Sequence, residues 1–108
     1  MVIDIKRYEI YLVKLNPTVG SEIQKTRPCI IISPNEMNVL NTVVIAPMTS
    51  KGFDFIFRPK IKFEKKSGLV LLDQIRTVDK TRLVKKIGDV NTQTAKEISN
   101  MLVKIFEH

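Results

Sequence analysis

The sequence has few of the residues that build disulfides and metal centres. It contains one cysteine, Cys29, one histidine, His108, and no tryptophan. One cysteine cannot form an internal disulfide, and Cys29 lies in an apolar run, where a thiol behaves as a small hydrophobic side chain. A single histidine excludes clustered His/Cys metal sites and histidine-based triads. We therefore predict no metal and no other cofactor, and a mechanism that does not use histidine.

Long apolar runs are also missing. No stretch approaches the roughly 20 apolar residues of a membrane-spanning helix, and Met1–Lys6 lacks the long apolar region of a signal peptide. We expect a soluble, cytoplasmic protein with no membrane partner. A chain of 108 residues is large enough for one core, so we expect a single domain over residues 1–108.

Positive charge is plentiful and unevenly distributed. Residues 1–50 carry 5 basic and 4 acidic side chains, whereas residues 51–108 carry 13 and 7. Such an excess favours an acidic partner, either nucleic acid or an acidic peptide, although many proteins with a high pI have neither.

Short apolar runs separated by turn residues predict a small β-protein. Pro47 is expected to end the third strand, and Pro59 to make the fourth an edge or bulged strand with Phe55 in the core. Residues 77–80 are predicted to form a turn or the start of a short helix. The predicted strands are 9–13, 29–32, 42–46, 55–63, 69–72 and 83–87.

The last segment has a different period. Apolar residues recur every three or four positions, which predicts an amphipathic helix from Asn91 or Thr92 to Phe106, opened by Asn/Thr capping residues. The evenly spaced strands favour a small closed antiparallel β-barrel, mainly β, that carries this C-terminal helix. The apolar stripe comprises Ala95, Ile98, Met101, Leu102, Ile105 and Phe106.

Polar side chains follow several of the predicted strands. Pro28 forces Arg27 into extended geometry at the start of one strand, and the long loop 17–27 is expected to form a flexible lid. Thr49 lies at the exit of another strand. Asp73 and Gln74 directly follow a third, where the carboxylate of Asp73 needs a cationic partner, either Arg76 or Arg27.

If these strand ends share one rim, the rim suits a phosphodiester. Guanidinium groups match phosphate oxygens in pairs and stabilise the charge that grows in the transition state. RNA supplies its own nucleophile, the 2′-hydroxyl, so the protein needs only positioning, charge stabilisation and proton transfer. Glu22 and Asp73 are both candidates for accepting the proton, and the sequence does not choose between them.

The motifs resemble those of one family. Ser21-Glu22 with Lys25-Thr26-Arg27-Pro28, preceded by Leu15-Asn16-Pro17-Thr18, is followed by Ile45-Ala46-Pro47-Met48-Thr49-Ser50 and by Leu72-Asp73-Gln74-Ile75-Arg76-Thr77-Val78-Asp79. In this order, from about Arg7 to the C-terminal helix, they are similar to the MazF/PemK toxins of bacterial toxin–antitoxin modules.

The resemblance implies an SH3-like barrel of the kind shared with CcdB, usually a homodimer with RNA across its interface. It also implies a metal-independent endoribonuclease that cuts single-stranded RNA, leaving 2′,3′-cyclic phosphate and 5′-hydroxyl ends, and an antitoxin that blocks the site with an acidic segment. Arg27 and Thr49 match the family's catalytic pair, and Glu22 matches its loop glutamate. Residues predicted to bind or support RNA are Lys25, Ser50, Asp73, Gln74 and Arg76.

The sequence departs from the family pattern in two ways. Tyr8 stands where glycine is common, and a loop histidine used by some members is missing. Two other functions fit the same fold, because fold does not determine function. One is a CcdB-like toxin that binds a topoisomerase without chemistry, and the other is a passive nucleic-acid-binding barrel. The intact pair of Arg27 and Thr49 favours the nuclease.

Overall fold

The computed structural model describes residues 4–108, so Met1–Ile3, part of the segment considered for a signal peptide, lie outside the described residues. The described residues form antiparallel strands and one α-helix, joined by turns and three short 3₁₀ turns at Met37–Val39, Leu72–Gln74 and Lys80–Arg82. The elements are β1 (Glu9–Lys14), β2 (Thr26–Ile31), β3 (Thr42–Thr49), β4 (Lys60–Phe63), β5 (Lys66–Val70), β6 (Arg76–Asp79), β7 (Leu83–Asp89) and α1 (Thr92–Phe106).

The strands form one curled antiparallel sheet with the order β4-β5-β3-β2-β1-β7, and β6 also pairs with β3. The two end strands meet through side chains. A Cβ atom added at Gly88 on β7 would lie 2.8 Å from Cε1 of Phe63 on β4, while β4 pairs by backbone hydrogen bonds with β5. The predicted small antiparallel barrel with a C-terminal helix is confirmed. We call the line where β4 faces β7 the seam.

Residues 29–31 of β2 are buried on both faces of the strand, as the apolar run predicts. Cys29 and Ile31 pack into one cluster together with Tyr11 on β1. Ile30 packs into a second cluster on the opposite face. Successive strand residues point to opposite sides of a sheet, so a strand with a core on each side has no polar face.

Helix α1 covers the second cluster. Asn91 caps it, since its side-chain oxygen accepts a hydrogen bond from the Thr94 amide at 2.8 Å, and Ile98 is fully buried. The predicted apolar stripe is confirmed except at its last member, because Phe106 is 69% exposed. No helix within residues 4–108 combines the length and the apolar character needed to cross a bilayer.

Strand β3 passes through Pro47 and continues to Thr49, so the prediction that Pro47 ends it is wrong. The Pro47 carbonyl accepts a hydrogen bond from the Leu71 amide at 2.8 Å. In an antiparallel strand, the backbone N–H and C=O of one residue point to the same edge. The backbone N–H that Pro47 lacks would therefore also have pointed towards Leu71. The strand tolerates proline at this position because pairing on that edge is interrupted.

That interruption is a bulge at residues 71–75. Strand β5 pairs with β3 at Met48↔Val70, and β6 resumes the pairing at Ile45↔Arg76, so five residues stand opposite two. The extra residues loop out as a 3₁₀ turn that carries the carboxylate and the amide of the predicted rim. Residues 76–79, beyond the bulge, form β6, because β3 offers an edge on which β-branched residues pair. Of residues 77–80, predicted to form a turn or the start of a short helix, only Lys80 fits, since it begins a 3₁₀ turn.

Residues 53–59 are not part of a strand, and β4 begins only at Lys60. Phe55 is 46% exposed, so its predicted place in the core is wrong. Phe53 and Phe55 pack edge to face with ring centroids 6.3 Å apart, and Phe55 and Phe57 do so at 5.9 Å. The alternation that suggested a strand thus reflects packing of the rings against one another.

Candidate active site

Arg27 and Thr49 line the same open cleft at the seam, with a volume of about 400 Å³. Strands β2 and β3 pair as far as Cys29↔Pro47, and each then runs two more residues, to Arg27 on one strand and Thr49 on the other. Beyond Cys29↔Pro47 the two strands are no longer paired, while β3 continues to pair on its other edge with β5, at Thr49↔Leu69. The cleft occupies the resulting fork.

Arg27 is held by the backbone on one side and faces the cleft on the other. It lies opposite Val13 of β1 in the pairing of β1 with β2. Its Nε donates a hydrogen bond to the Gln24 carbonyl at 3.2 Å. Within residues 4–108, no carboxylate lies within 4.0 Å of its guanidinium. An unneutralised guanidinium with a fixed stem is suited to binding an anion.

The Thr49 hydroxyl takes part in a local turn. It donates a hydrogen bond to the Lys51 carbonyl at 2.7 Å and accepts one from the Lys51 amide at 3.1 Å. Its proton must therefore leave the Lys51 carbonyl before it can reach a phosphate oxygen. Ser50, the next residue, also lines the cleft, so two neighbouring residues with hydroxyl groups line it together with Arg27.

The loop before β2 carries two predicted site residues that do not line the cleft, Glu22 and Lys25. The carboxylate of Glu22 accepts a hydrogen bond from the Val19 amide at 2.6 Å. Lys25 has a positive φ of 73°, its amide donates to the Asn16 side chain at 3.2 Å, and its carbonyl accepts from the Leu15 amide at 2.9 Å. These bonds close the loop on itself.

The carboxylate of Asp73 is bound by Arg58, with two hydrogen bonds of 2.9 Å each from Nε and Nη2. The prediction that Arg76 or Arg27 is its partner is therefore wrong. The hydrogen bonds from Arg58 are the main reason that the pKa of Asp73 is lowered from its ordinary value. Arg58 also lies over the Phe53 ring, 4.8 Å from its centroid, so the ion pair anchors the aromatic segment.

Gln74 and Arg76 hold the loop from the other side. The Gln74 side-chain oxygen accepts a hydrogen bond from the Ile23 amide at 2.7 Å, and Arg76 Nη1 donates to the Leu15 carbonyl at 3.0 Å. Neither residue lines the cleft. The bulge thus supports the loop, while the cleft itself is built from the ends of β2 and β3.

The structure adds two lysines that the sequence did not single out. Lys66 on β5 and Lys85 on β7 line the same cleft as Arg27. The only signal for them was the excess of basic residues in the second half of the sequence. Within residues 4–108, no group of three or more His, Cys, Asp or Glu side chains is arranged to hold a metal ion.

Known proteins resemble the chain in sequence and in fold. It is 32% identical over 105 residues, 91% of this chain and 88% of the relative, to a protein named Endoribonuclease MazF from Staphylococcus saprophyticus. Among solved structures, MazF from Deinococcus radiodurans matches with a TM-score of 0.85 and 21% identity, over 96% of this chain and 97% of the other. An endoribonuclease in complex with its cognate antitoxin, from Mycobacterial species, matches with a TM-score of 0.78 and 22% identity, over 93% and 92%.

The structural matches show that the fold is shared along nearly the whole chain. The family model described as the PemK-like, MazF-like toxin of type II toxin–antitoxin systems matches residues 6–106. That range includes the loop, the cleft and helix α1. The chain therefore belongs to the PemK/MazF-like toxin family.

Proposed function

We propose that this protein is an endoribonuclease toxin that cleaves single-stranded RNA, and that a cognate antitoxin neutralises it. The observation that carries the proposal is the convergence of Arg27 and Thr49, from two different strands, on one cleft. The relative from Staphylococcus saprophyticus, named as an endoribonuclease, supports the reaction class.

The reaction is an attack by the RNA's own 2′-hydroxyl on the adjacent phosphorus. The 2′-oxygen forms a bond to phosphorus as the bond to the 5′-oxygen breaks, giving a 2′,3′-cyclic phosphate and a 5′-hydroxyl end. Arg27 binds the phosphate oxygens and stabilises the charge that develops on them, and Thr49 positions the same phosphate. The nucleophile comes from the substrate and the positive charge from the guanidinium, so no metal ion has a step in this scheme.

In this scheme Glu22 accepts the proton of the attacking 2′-hydroxyl, and the departing 5′-oxygen takes a proton from water to become the 5′-hydroxyl. Of the two carboxylates that the sequence left open, Asp73 is bound by Arg58 and its pKa is lowered, which makes it a weaker base. Glu22 has to exchange its hydrogen bond to the Val19 amide for the 2′-hydroxyl. Such an exchange requires the loop to close over the cleft, which is the predicted role of a lid.

The basic surface and the family suggest the partners. A homodimer, with RNA bound across its interface, is the proposed active form. An antitoxin with an acidic C-terminal segment complements the net charge of +7, and the related mycobacterial endoribonuclease was solved with its cognate antitoxin. We place the activity in the cytoplasm, where messenger RNA is the substrate and its cleavage stops translation.

The test is incubation with single-stranded RNA of mixed sequence in EDTA, followed by analysis of the ends. Wild-type protein is expected to leave 2′,3′-cyclic phosphate and 5′-hydroxyl ends. Arg27→Ala is expected to lower the rate about 10²- to 10³-fold, the usual loss when one charge-stabilising donor is removed. Thr49→Val removes the hydroxyl at nearly constant volume, and Lys104→Ala, on the exposed side of α1, is the control that keeps full activity.

Two results would contradict the proposal. One is cleavage that continues when the cut nucleotide carries 2′-deoxyribose, since the nucleophile is then absent. The other is full activity of Arg27→Ala. A folded wild-type protein that stops growth but leaves every RNA intact would instead support the non-catalytic toxin.

A further inference from the structure

The cleft extends along the seam beyond the Arg27 and Thr49 end, and its two walls come from different parts of the sheet. One wall is the β4–β5 hairpin, where Lys66 pairs with Phe63. The other is β7, where Lys85 pairs with Leu12 of β1. Lys66 and Lys85 both line the cleft, so an ammonium group stands on each wall.

These two lysines are available for an external anion. The ion pairs of the described residues involve Arg58, Lys60 and Lys86 but neither cleft lysine. Together with Arg27, they put three cations around a cleft that has one carboxylate, Glu64. Because the positive charges are spread along the cleft, they match an extended chain of phosphates better than a single anion.

Much of the cleft lining besides these lysines is apolar, and we call four of its apolar residues the floor. It consists of Leu12, Ile61, Phe63 and Ile87. The Phe63 ring is half-buried and packs so closely on Gly88 that there is no room for a Cβ atom there, which limits its movement. An aromatic ring beside cationic side chains is the arrangement that binds single-stranded nucleic acid, with bases stacked on the ring and phosphates on the cations.

We infer that the seam binds the RNA nucleotides next to the cleaved phosphate, with one base on Phe63 and the flanking phosphates on Lys66 and Lys85. The inference rests on the proposed function, since it takes single-stranded RNA as the substrate. Lys66 and Lys85 are positioning residues in this scheme, because they hold the strand and do not contact the reacting atoms.

The experiment measures binding without cleavage. A mixed-sequence oligoribonucleotide that is 2′-O-methylated throughout has no nucleophile, and fluorescence anisotropy gives its affinity between 50 and 200 mM salt. For single strands, each phosphate contact contributes about 0.7 to the slope of log affinity against log salt. Lys66→Gln and Lys85→Gln should each lower the slope by that amount. The ratio of wild-type to variant affinity should then fall about 2.6-fold from 50 to 200 mM salt for each single variant, and about 7-fold for the double variant.

The control is Lys96→Gln, which makes the same change in charge on the exposed side of α1 and should leave the slope unchanged. Phe63→Leu keeps an apolar floor but removes the ring, and should weaken binding roughly 5-fold or more with an unaltered slope. On cleavable RNA, both lysine variants should raise KM and leave kcat near the wild-type value, a split that damage to the fold would not produce.

The outcomes separate this inference from the proposed function. Lysine variants that bind like Lys96→Gln, in a protein that cleaves RNA, would overturn the seam site alone, and the seam would then be free for an acidic antitoxin segment. A wild-type protein that shows the expected slopes but cuts no RNA would overturn the nuclease alone. Failure of the wild-type protein to bind the oligonucleotide would overturn both.

Discussion

The substitution Gly68→Ala tests how the cleft is held together. Gly68 lies on β5 beside the end of β3, and a Cβ atom there would be 2.8 Å from the Thr49 carbonyl oxygen and 3.4 Å from its carbonyl carbon. Both are backbone atoms in paired strands, so no side-chain rotation can relieve the contact. To restore an ordinary separation of 3.4 Å from the oxygen, β3 and β5 must move apart by about 0.6 Å.

Two effects of different size are expected. Overpacking of this kind costs about 1–3 kcal/mol, and each kcal/mol lowers Tm by roughly 4–8 °C in a domain of this size. The shift also changes the position of Thr49 relative to Arg27, because β3 lies between β5 and β2. Since a misplacement of about 1 Å can lower a rate by about 10²-fold, a shift of roughly half that size should lower kcat by about tenfold.

Thermal unfolding and RNA cleavage, measured well below the Tm of the variant, separate the two effects. The matched control is Ile98→Val, which removes one methylene from the buried face of α1 and costs about 0.5–1.5 kcal/mol without touching the cleft. It should lose stability and keep its rate. If Gly68→Ala keeps both the Tm and the rate of the wild type, the strand fork is not what positions Thr49.

Two more predictions concern the bulge. Because the pKa of Asp73 is lowered in the folded state, chiefly by hydrogen bonds from Arg58, its stabilising effect is complete above the ordinary aspartate pKa of about 3.9 and is lost as the pH falls through the lowered value. Asp73→Asn should remove that part of the acid transition in thermal melts between pH 2 and 5, and an unchanged profile would contradict the assignment. Gln74→Ala removes the acceptor for the Ile23 amide and should cost about 0.5–1.5 kcal/mol, with faster hydrogen exchange at Ile23 and a lower cleavage rate. Unaltered exchange at that amide would show that Gln74 does not hold the loop.

Much of the fold could be read from local pattern. The run from Cys29 to Ile32 indicated a strand buried on both faces, and the stripe around Ile98 indicated a helix, because burial imposes its period on the sequence. The same reasoning failed at Phe55. Its alternation has the period of a strand, but the rings pack on one another in a turn, where the period has no bearing on a sheet.

The site shows the same division. The step Arg27-Pro28 and the position of Thr49 after an apolar run marked both residues as lying at strand ends. The partner of Asp73 could not be found in this way, because Arg58 is 15 residues away and reaches it only through the path of the chain between β3 and β5.

Short-range chemistry determines the kinds of element, their approximate limits and the residues at their ends. Burial, backbone torsions and capping all act within a few residues. Which of those ends meet is decided by strand pairing over long distances. Arg27 and Thr49 share a cleft because β2 and β3 pair and then separate. Lys66 and Lys85 line that cleft too because the sheet curls until β4 meets β7. No local pattern encodes such a meeting, since its cause is the curvature of the whole sheet.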